Sequence, residues 1–119
     1  MTPEELKART KRFAVTILKL GDEFPKSIAG RVLANQLIRA GTSVAANYRA
    51  ACRARSRAEF ASKMGNVEEE ADESAFWLEL SGEAGLVPRD KLRTVWKEAD
   101  ELTRAMAASG RTAQPRRKG

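Results

Sequence analysis

Residues 42–60, TSVAANYRAACRARSRAEF, decide how this chain is organised. The first half places larger apolar side chains at every fourth position, which predicts one face of an α-helix. These residues are Val44, Tyr48 and Cys52. The second half predicts the start of a new helix, because Ser56 followed three residues later by Glu59 is the pattern of a capping box. The stretch therefore predicts the closely packed end of one helix and the capped start of the next.

Two helices are predicted up to this point. The first runs from about residue 3 to residue 20, since Thr2 is a suitable N-cap and Pro3 and Glu5 complete a helix start. The second begins near residues 25–27 and ends near Arg53 or Arg55. Its Gly30 and Gly41 are tolerated where another helix approaches closely. The predicted buried faces are Leu6, Phe13, Ile17 and Leu20 in the first helix, and Ile28, Val32, Leu33, Leu37, Val44, Tyr48 and Cys52 in the second.

Two more helices are predicted after it. The third is ended by GEAGLVP, and the fourth runs from Pro88 to Gly110. Their buried faces are Phe60, Met64, Val67, Ala71, Ala75 and Leu78, and Leu92, Val95, Trp96, Ala99, Leu102 and Met106. No strand-like alternation is present and the connections are short, so we predict an all-α, up-down-up-down antiparallel four-helix bundle over residues 1–110. Residues 111–119 form a basic tail that we expect to be disordered.

Composition restricts the function. The chain has 119 residues, a formal net charge of +6, one cysteine and no histidine. This length predicts one domain, and a single cysteine excludes an intrachain disulfide. The positive charge suits a polyanionic partner such as nucleic acid, or an acidic protein surface. No run of apolar residues is long enough to cross a membrane and no secretory signal is recognisable, so we expect a cytoplasmic protein.

Catalysis has little support. Cys52 as a nucleophile would need a base, and without histidine the simpler interpretation is a small buried side chain. The acidic residues 68–73 flank the buried face of the third helix, which indicates a solvated surface or pairing with cations of a neighbouring helix or subunit. Phosphate-binding glycine loops are absent. We therefore predict a protein that is not an enzyme, with no cofactor and no metal site.

The basic residues predict a nucleic-acid-binding face. Arg49 and Arg53 lie one helical turn apart and so share a face. Arginine suits phosphate, although the same side chains could pair with the acids of the third helix. With only Tyr48 among them, base stacking is unsupported and contacts should reach the nucleic-acid backbone. The candidate binding residues are Arg39, Arg49, Arg53, Arg55, Arg57, Lys7, Arg9, Lys11 and Arg12.

Trp77 is a candidate for a subunit interface. It stands next to Leu78 of the predicted buried face, so one of the two side chains must point partly outward. Partly exposed aromatic side chains are enriched at interfaces between subunits. The alternative is that Trp77 spans the edge between two helices of its own bundle.

Two segments resemble a known family. They are QLIRAGTSVAANYRAACRARSRAEFASKMG and EEADESAFWLEL. They are similar to the four-helix-bundle proteins encoded in intervening sequences of bacterial 23S rRNA genes. The resemblance implies a homo-oligomer, commonly a ring of five, with no established catalytic residues. It extends to accessory proteins of diversity-generating retroelements, which bind a reverse transcriptase and nucleic acid. Two functions therefore stay open, nucleic-acid binding and a protein-binding adaptor for a reverse-transcriptase-like partner.

Overall fold

The computed structural model describes residues 1–113 and contains four helices in that range, with no strand. Helix α1 spans Pro3–Gly21 and α2 spans Ile28–Ala51. Helix α3 spans Arg57–Glu83 and α4 spans Arg89–Ala113. The prediction of an all-α protein with four helices is confirmed.

Side chains before three of the helices fix their starts. Thr2 accepts from the N–H of Glu5, whose carboxylate accepts from the N–H of Thr2, so the capping box of α1 is complete. Ser27 accepts from the N–H of Gly30 at the start of α2. At α3 only half of the predicted box forms. Ser56 accepts from the N–H of Glu59, but the Glu59 carboxylate accepts from the N–H of Arg55 instead of that of Ser56.

The core is continuous along the four helices, and most residues of the predicted faces are buried in it. Its fully buried larger side chains come from every helix, so no helix stands apart. The largest of them are Ile17, Leu37, Met64, Leu78, Leu102 and Met106. Three buried hydroxyl groups satisfy their hydrogen bonds within their own helices, which makes them compatible with the apolar surroundings. They belong to Thr10, Ser74 and Ser81.

Each helix packs on the next one along the chain, and α1 also contacts α4, though less extensively. Polar contacts mark both ends of the molecule. Lys91 at the start of α4 donates to Glu23, in the connection after α1, at 3.2 Å. Arg57 at the start of α3 donates to the carbonyl of Thr112, near the end of α4, at 3.1 Å. The start of α4 therefore lies at the same end of the molecule as the α1–α2 connection.

Helices α1 and α2 approach each other closely at Gly41. A Cβ atom added there would lie 2.8 Å from two side-chain carbons of Ile17, a distance that real Cβ contacts do not show. The glycine therefore allows the isoleucine to pack directly against the α2 backbone, as the sequence predicts. Gly30 has a different neighbour, because its added Cβ would meet the carbonyl oxygen of Pro25 in the preceding connection.

Several details of the prediction differ from the structure. Ile28 and Val32 belong to the predicted buried face but are 86% and 52% exposed, because they lie on the side of α2 opposite the buried residues Gly30, Leu33 and Leu37. Gly110 does not end α4, which continues to Ala113, so the first three residues of the predicted tail are helical. Cys52 is half-buried instead of buried. The rest of the predicted disordered tail, residues 114–119, lies outside the described residues.

Candidate nucleic-acid interface

The α1 and α2 helices enclose a groove whose charged lining residues are all basic. Its volume is about 560 Å³. Its lining also contains the half-buried thiol of Cys52 and small side chains. We call it the basic groove. Its lining residues are Lys7 and Lys11 of α1, with Thr42, Ala45, Ala46, Arg49, Cys52 and Arg53.

Helical spacing and small residues build this groove. Lys7 and Lys11 lie one turn apart on α1 and therefore project from the same face. Arg49 lies in the last turn of α2, and Arg53 follows in the turn after the helix, where its N–H donates to the carbonyl of Ala50. The alanines between the two helices leave space that a larger side chain would fill. Four predicted binding residues from two helices thus meet at one place.

The charge of the basic groove is largely unneutralised. Lys7 has a carboxylate neighbour, Glu4 on its own helix, at 3.3 Å, and both side chains are exposed. Within residues 1–113, Lys11, Arg49 and Arg53 form no ion pair shorter than 4.0 Å. Unpaired cations that line one concave surface create a positive potential, and such a surface attracts polyanions.

A second basic cavity lies directly beside the first, between the end of α2 and the start of α3. It measures about 410 Å³ and shares Ala46, Arg49 and Arg53 with the basic groove. Arg49 and Arg53 therefore stand on a ridge between two cavities. The acid in its lining is Glu59, whose carboxylate accepts from the N–H of Arg55 at 3.3 Å. The other lining residues of this second cavity are Ala50, Arg55 and Lys63.

Two predicted binding residues of α1 face α4 instead of α2. Arg9 donates from Nε to Glu98 at 2.8 Å and from Nη2 to Glu101 at 2.6 Å. These carboxylates raise the pKa of Arg9 above its ordinary value, with Glu98 contributing most. Arg12 lines a separate cavity that also contains Glu98 and Glu101. The basic cluster of α1 is therefore divided between two sides of the helix.

Arg39 and Arg57 also have partners inside the chain. Arg39 contacts Glu70 at 3.4 Å and forms a shorter ion pair with Glu73. Arg57 donates to the carbonyl of Thr112. Part of the acidic surface of α3 is thus paired within the same chain, one of the two arrangements that the sequence leaves open. These two arginines have less freedom to contact a ligand than Arg49 and Arg53.

Tyr48 and Cys52 lie close together but differ in burial and in the surface to which they contribute. Tyr48 is buried, and burial raises its pKa, with a smaller contribution from the Cys52 side chain. Cys52 lines the basic groove.

Among residues 1–113, no group of three or more cysteine, aspartate or glutamate side chains is arranged to hold a metal ion.

Trp77 packs mainly against its own bundle. It is half-buried at the edge of the core, and its Nε1 donates to Glu73 at 3.1 Å. Its ring meets Phe76 edge to face, with 5.1 Å between the ring centroids. Phe76 is the more exposed of the two at 52%. A role of Trp77 in a subunit interface stays a prediction.

Sequence reasoning missed part of the lining of the two cavities. Thr42, Ala45 and Ala46 form the surface between the cations, and Lys63 adds a charge to the second cavity. The α2 residues were recognisable in principle, since they precede Arg49 and Arg53 at helical spacings of three, four and seven. Lys63 could not be assigned without knowing how α3 lies against the end of α2.

The fold and the groove define a small all-α protein with a basic concave surface. The chain belongs to the 23S rRNA-intervening sequence protein family, whose model matches residues 5–108. A similar solved structure is a protein of unknown function from the S23 ribosomal protein family of Bacteroides thetaiotaomicron VPI-5482. The two are 30% identical, with a TM-score of 0.80, over 87% of this chain and 95% of the other. A comparison with curated proteins gave no match.

The helices of the described part of the chain also bear on whether it could span a membrane. None of them is both long enough and apolar enough to cross a bilayer.

Proposed function

We propose that this protein binds the phosphate backbone of RNA or DNA through the basic groove and catalyses no reaction itself. One observation carries the proposal: Lys7, Lys11, Arg49 and Arg53 line a single groove whose lining contains no carboxylate. Lysine and arginine bind nucleic acid by replacing the counterions of its phosphates, which needs no defined base sequence.

The lining of the groove favours contacts to the backbone over contacts to the bases. Its uncharged residues are small, and none of them is aromatic. Proteins that hold single strands by their bases use aromatic side chains as stacking surfaces. Phosphate contacts position a protein on nucleic acid without reading its sequence. We therefore expect RNA and DNA of unrelated sequence to bind with similar affinity.

We further infer that the helices run up-down-up-down and that the protein forms a homo-oligomeric ring in the cytoplasm. The first inference is supported by Glu23–Lys91 at one end of the molecule and Arg57–Thr112 at the other. The second is supported by the resemblance to ring-forming bundles. A ring would place several basic grooves on one particle, so that weak contacts act together on one polyanion.

The test is a fluorescence-anisotropy titration with short RNA and DNA at two or more salt concentrations. It compares the wild type with the double variant Arg49→Ala, Arg53→Ala. On duplex DNA each phosphate contact contributes about 0.9 to the slope of log affinity against log salt, so losing two contacts should flatten the slope by about 2. We expect an affinity loss of roughly tenfold or more at low salt.

The control is the double variant Arg9→Ala, Arg39→Ala, which removes the same charge from residues that are paired within the chain. It should bind with nearly wild-type affinity once circular dichroism shows that it is folded. Equal effects of the two double variants would contradict the assignment of the groove. Absence of salt-sensitive binding by the wild type would overturn the proposal and favour an acidic protein partner, such as a reverse-transcriptase-like protein.

A further inference from the structure

The start of α2 carries two apolar side chains that its own bundle does not cover. Ile28 is 86% exposed, and Val32, one helical turn further on, is 52% exposed. Single exposed apolar residues are common, but two at helical spacing form a continuous apolar ridge. Val15 and Leu18 of α1 form a second such pair, which is less exposed at 45% each. The backbone beneath them is well fixed, because Ser27 caps the helix and Gly30 lies against Pro25. We call Ile28 and Val32 the α2 knob.

An apolar cleft lies between the end of α3 and the start of α4. It has a volume of about 230 Å³, and the side chains of Leu78, Leu92 and Trp96 provide its apolar surface. Gly82 is part of its wall, where an added Cβ atom would lie 3.3 Å from Cδ1 of Leu92. The glycine thus leaves open a space that a larger residue would occupy. We call this the α3–α4 cleft, and its other lining residues are Glu79, Glu83, Arg89 and Arg93.

The acidic side of the α3–α4 cleft is complementary in charge to the basic residues beside the α2 knob. Glu79 and Glu83 form an acidic wall on α3, and among residues 1–113 neither forms an ion pair, although Glu79 accepts from Nε1 of Trp96 at 3.1 Å. Lys26 and Arg31 flank the α2 knob, are exposed, and also have no ion-pair partner in that range. Opposite charges at the rim of a contact favour one orientation and register. They favour the orientation in which Arg31 lies beside the acidic wall, away from Arg89 and Arg93 on the α4 side of the cleft.

Both surfaces lie at the same end of the molecule. Glu23 in the connection before α2 contacts Lys91 at the start of α4, at 3.2 Å, which brings the α2 knob and the α3–α4 cleft to one level. A contact between two different surfaces of identical chains is heterologous, and it produces either a closed ring or an open filament. Because both surfaces lie at the same end of the molecule, side-by-side copies can close into a ring.

We propose that the α2 knob of one copy inserts into the α3–α4 cleft of the next copy. This inference rests on the assembly part of the proposed function and gives it a specific interface. A second copy of this chain is the assigned occupant of the cleft. The reason is that the same molecule carries both an uncovered apolar ridge and an open apolar cleft at the same end. The basic groove between α1 and α2 shares no lining residue with either surface.

The first measurement is molar mass by size exclusion with light scattering. The variant Ile28→Ser, Val32→Ser removes the apolar side chains of the knob without changing charge, and it should have the mass of a single chain. The matched control is Val15→Ser, Leu18→Ser, which removes two apolar side chains that are each 45% exposed on α1. The control should keep the wild-type mass.

The second measurement tests the cleft and the pairing of the two surfaces. Glu79→Arg, Glu83→Arg reverses the acidic wall and should also give single chains, whereas Glu69→Arg, Asp72→Arg makes the same charge change elsewhere on α3 and should not. The knob variant keeps an intact cleft, and Glu79→Arg, Glu83→Arg keeps an intact knob. A mixture of these two variants therefore has one intact knob and one intact cleft that can pair. The mixture should therefore form a dimer of one chain of each variant and no larger particle.

Several results would overturn this interface. They are a wild type that remains a single chain at high concentration, a knob variant that keeps the wild-type mass, and a mixture that forms no dimer. If the wild type and the knob variant are both oligomeric, the assembly itself stands but uses a different surface. The anisotropy titration separates the two proposals, because a dissociated knob variant retains its basic groove and should still bind nucleic acid in a salt-sensitive way, although with reduced affinity.

Discussion

Helix α1 contacts its two neighbours in different ways. On the α2 side the helices approach closely, with Ile17 against Gly41, and Lys7 and Lys11 face the groove without an acid from α2. On the α4 side the packing is less extensive, and Arg9 is held by Glu98 and Glu101. Cations of one helix therefore serve two purposes. Where the facing helix supplies carboxylates they join helices, and where it supplies small residues they stay available for a ligand.

The largest expected effect comes from breaking the close approach of α1 and α2. Gly41→Leu places a side chain where a Cβ atom would already be 2.8 Å from Ile17, so the helices must separate. We expect the free energy of unfolding to fall by about 3 kcal/mol, the upper range for overpacking. Urea denaturation followed by circular dichroism measures this change.

Gly65→Leu is the matched control, because an added Cβ atom at Gly65 has no neighbour within 4 Å. That substitution should raise the free energy of unfolding by about 0.5–1 kcal/mol, since leucine favours a helix more than glycine does. Similar stability changes in the two variants would show that close packing at Gly41 is not what holds α1 against α2.

A smaller effect is expected from giving the basic groove an acid of its own. Ala46 lies between both basic cavities and one turn before Arg49. Ala46→Glu should lower nucleic-acid affinity by about tenfold, because the new carboxylate competes with phosphate and reduces the number of counterions released. Ala46→Gln has the same size without the charge and serves as the control in the same anisotropy titration. Equal losses in both variants would indicate that volume, not charge, decides binding.

The smallest expected effect is a difference in stability between two arginine variants. One arginine is paired with α4 and the other lines the basic groove. Arg9→Ala should lower the free energy of unfolding by about 1 kcal/mol, because a charge-assisted contact to two carboxylates is lost at a partly exposed site. Arg53→Ala should change it by less than about 0.5 kcal/mol, as expected for an exposed residue without an ion pair. Thermal denaturation of both variants at low salt compares them. A larger loss of stability for Arg53→Ala than for Arg9→Ala would contradict the conclusion that the cation facing α4 joins helices and the cation in the groove does not.

Much of the fold was predictable because helix signals are local. Thr2 and Ser56 mark helix starts through hydrogen bonds within four residues, and the buried faces follow the helical period. The errors concern which face of a helix is buried and where a helix ends. Ile28 and Val32 are one turn apart but out of phase with the buried residues Leu33 and Leu37, and Gly110 lies inside α4 instead of after it.

The candidate site was only partly predictable because it depends on which helices face each other. Arg49 and Arg53 share a face by spacing alone, and the structure keeps them together. The same spacing argument could not show that Arg39 meets Glu70 and Glu73, which are more than thirty residues away in the chain. Pairing between distant residues decides which arginines remain available, and only the packed arrangement of the helices contains that information.

The position of Cys52 has a practical consequence. The chain has a single cysteine, and its half-buried side chain lines the basic groove beside Arg49 and Arg53. An environment-sensitive fluorophore attached to the native thiol would therefore report from one defined point without any engineered label site. Its emission would distinguish a ligand that enters the groove from one that binds elsewhere on the positively charged surface.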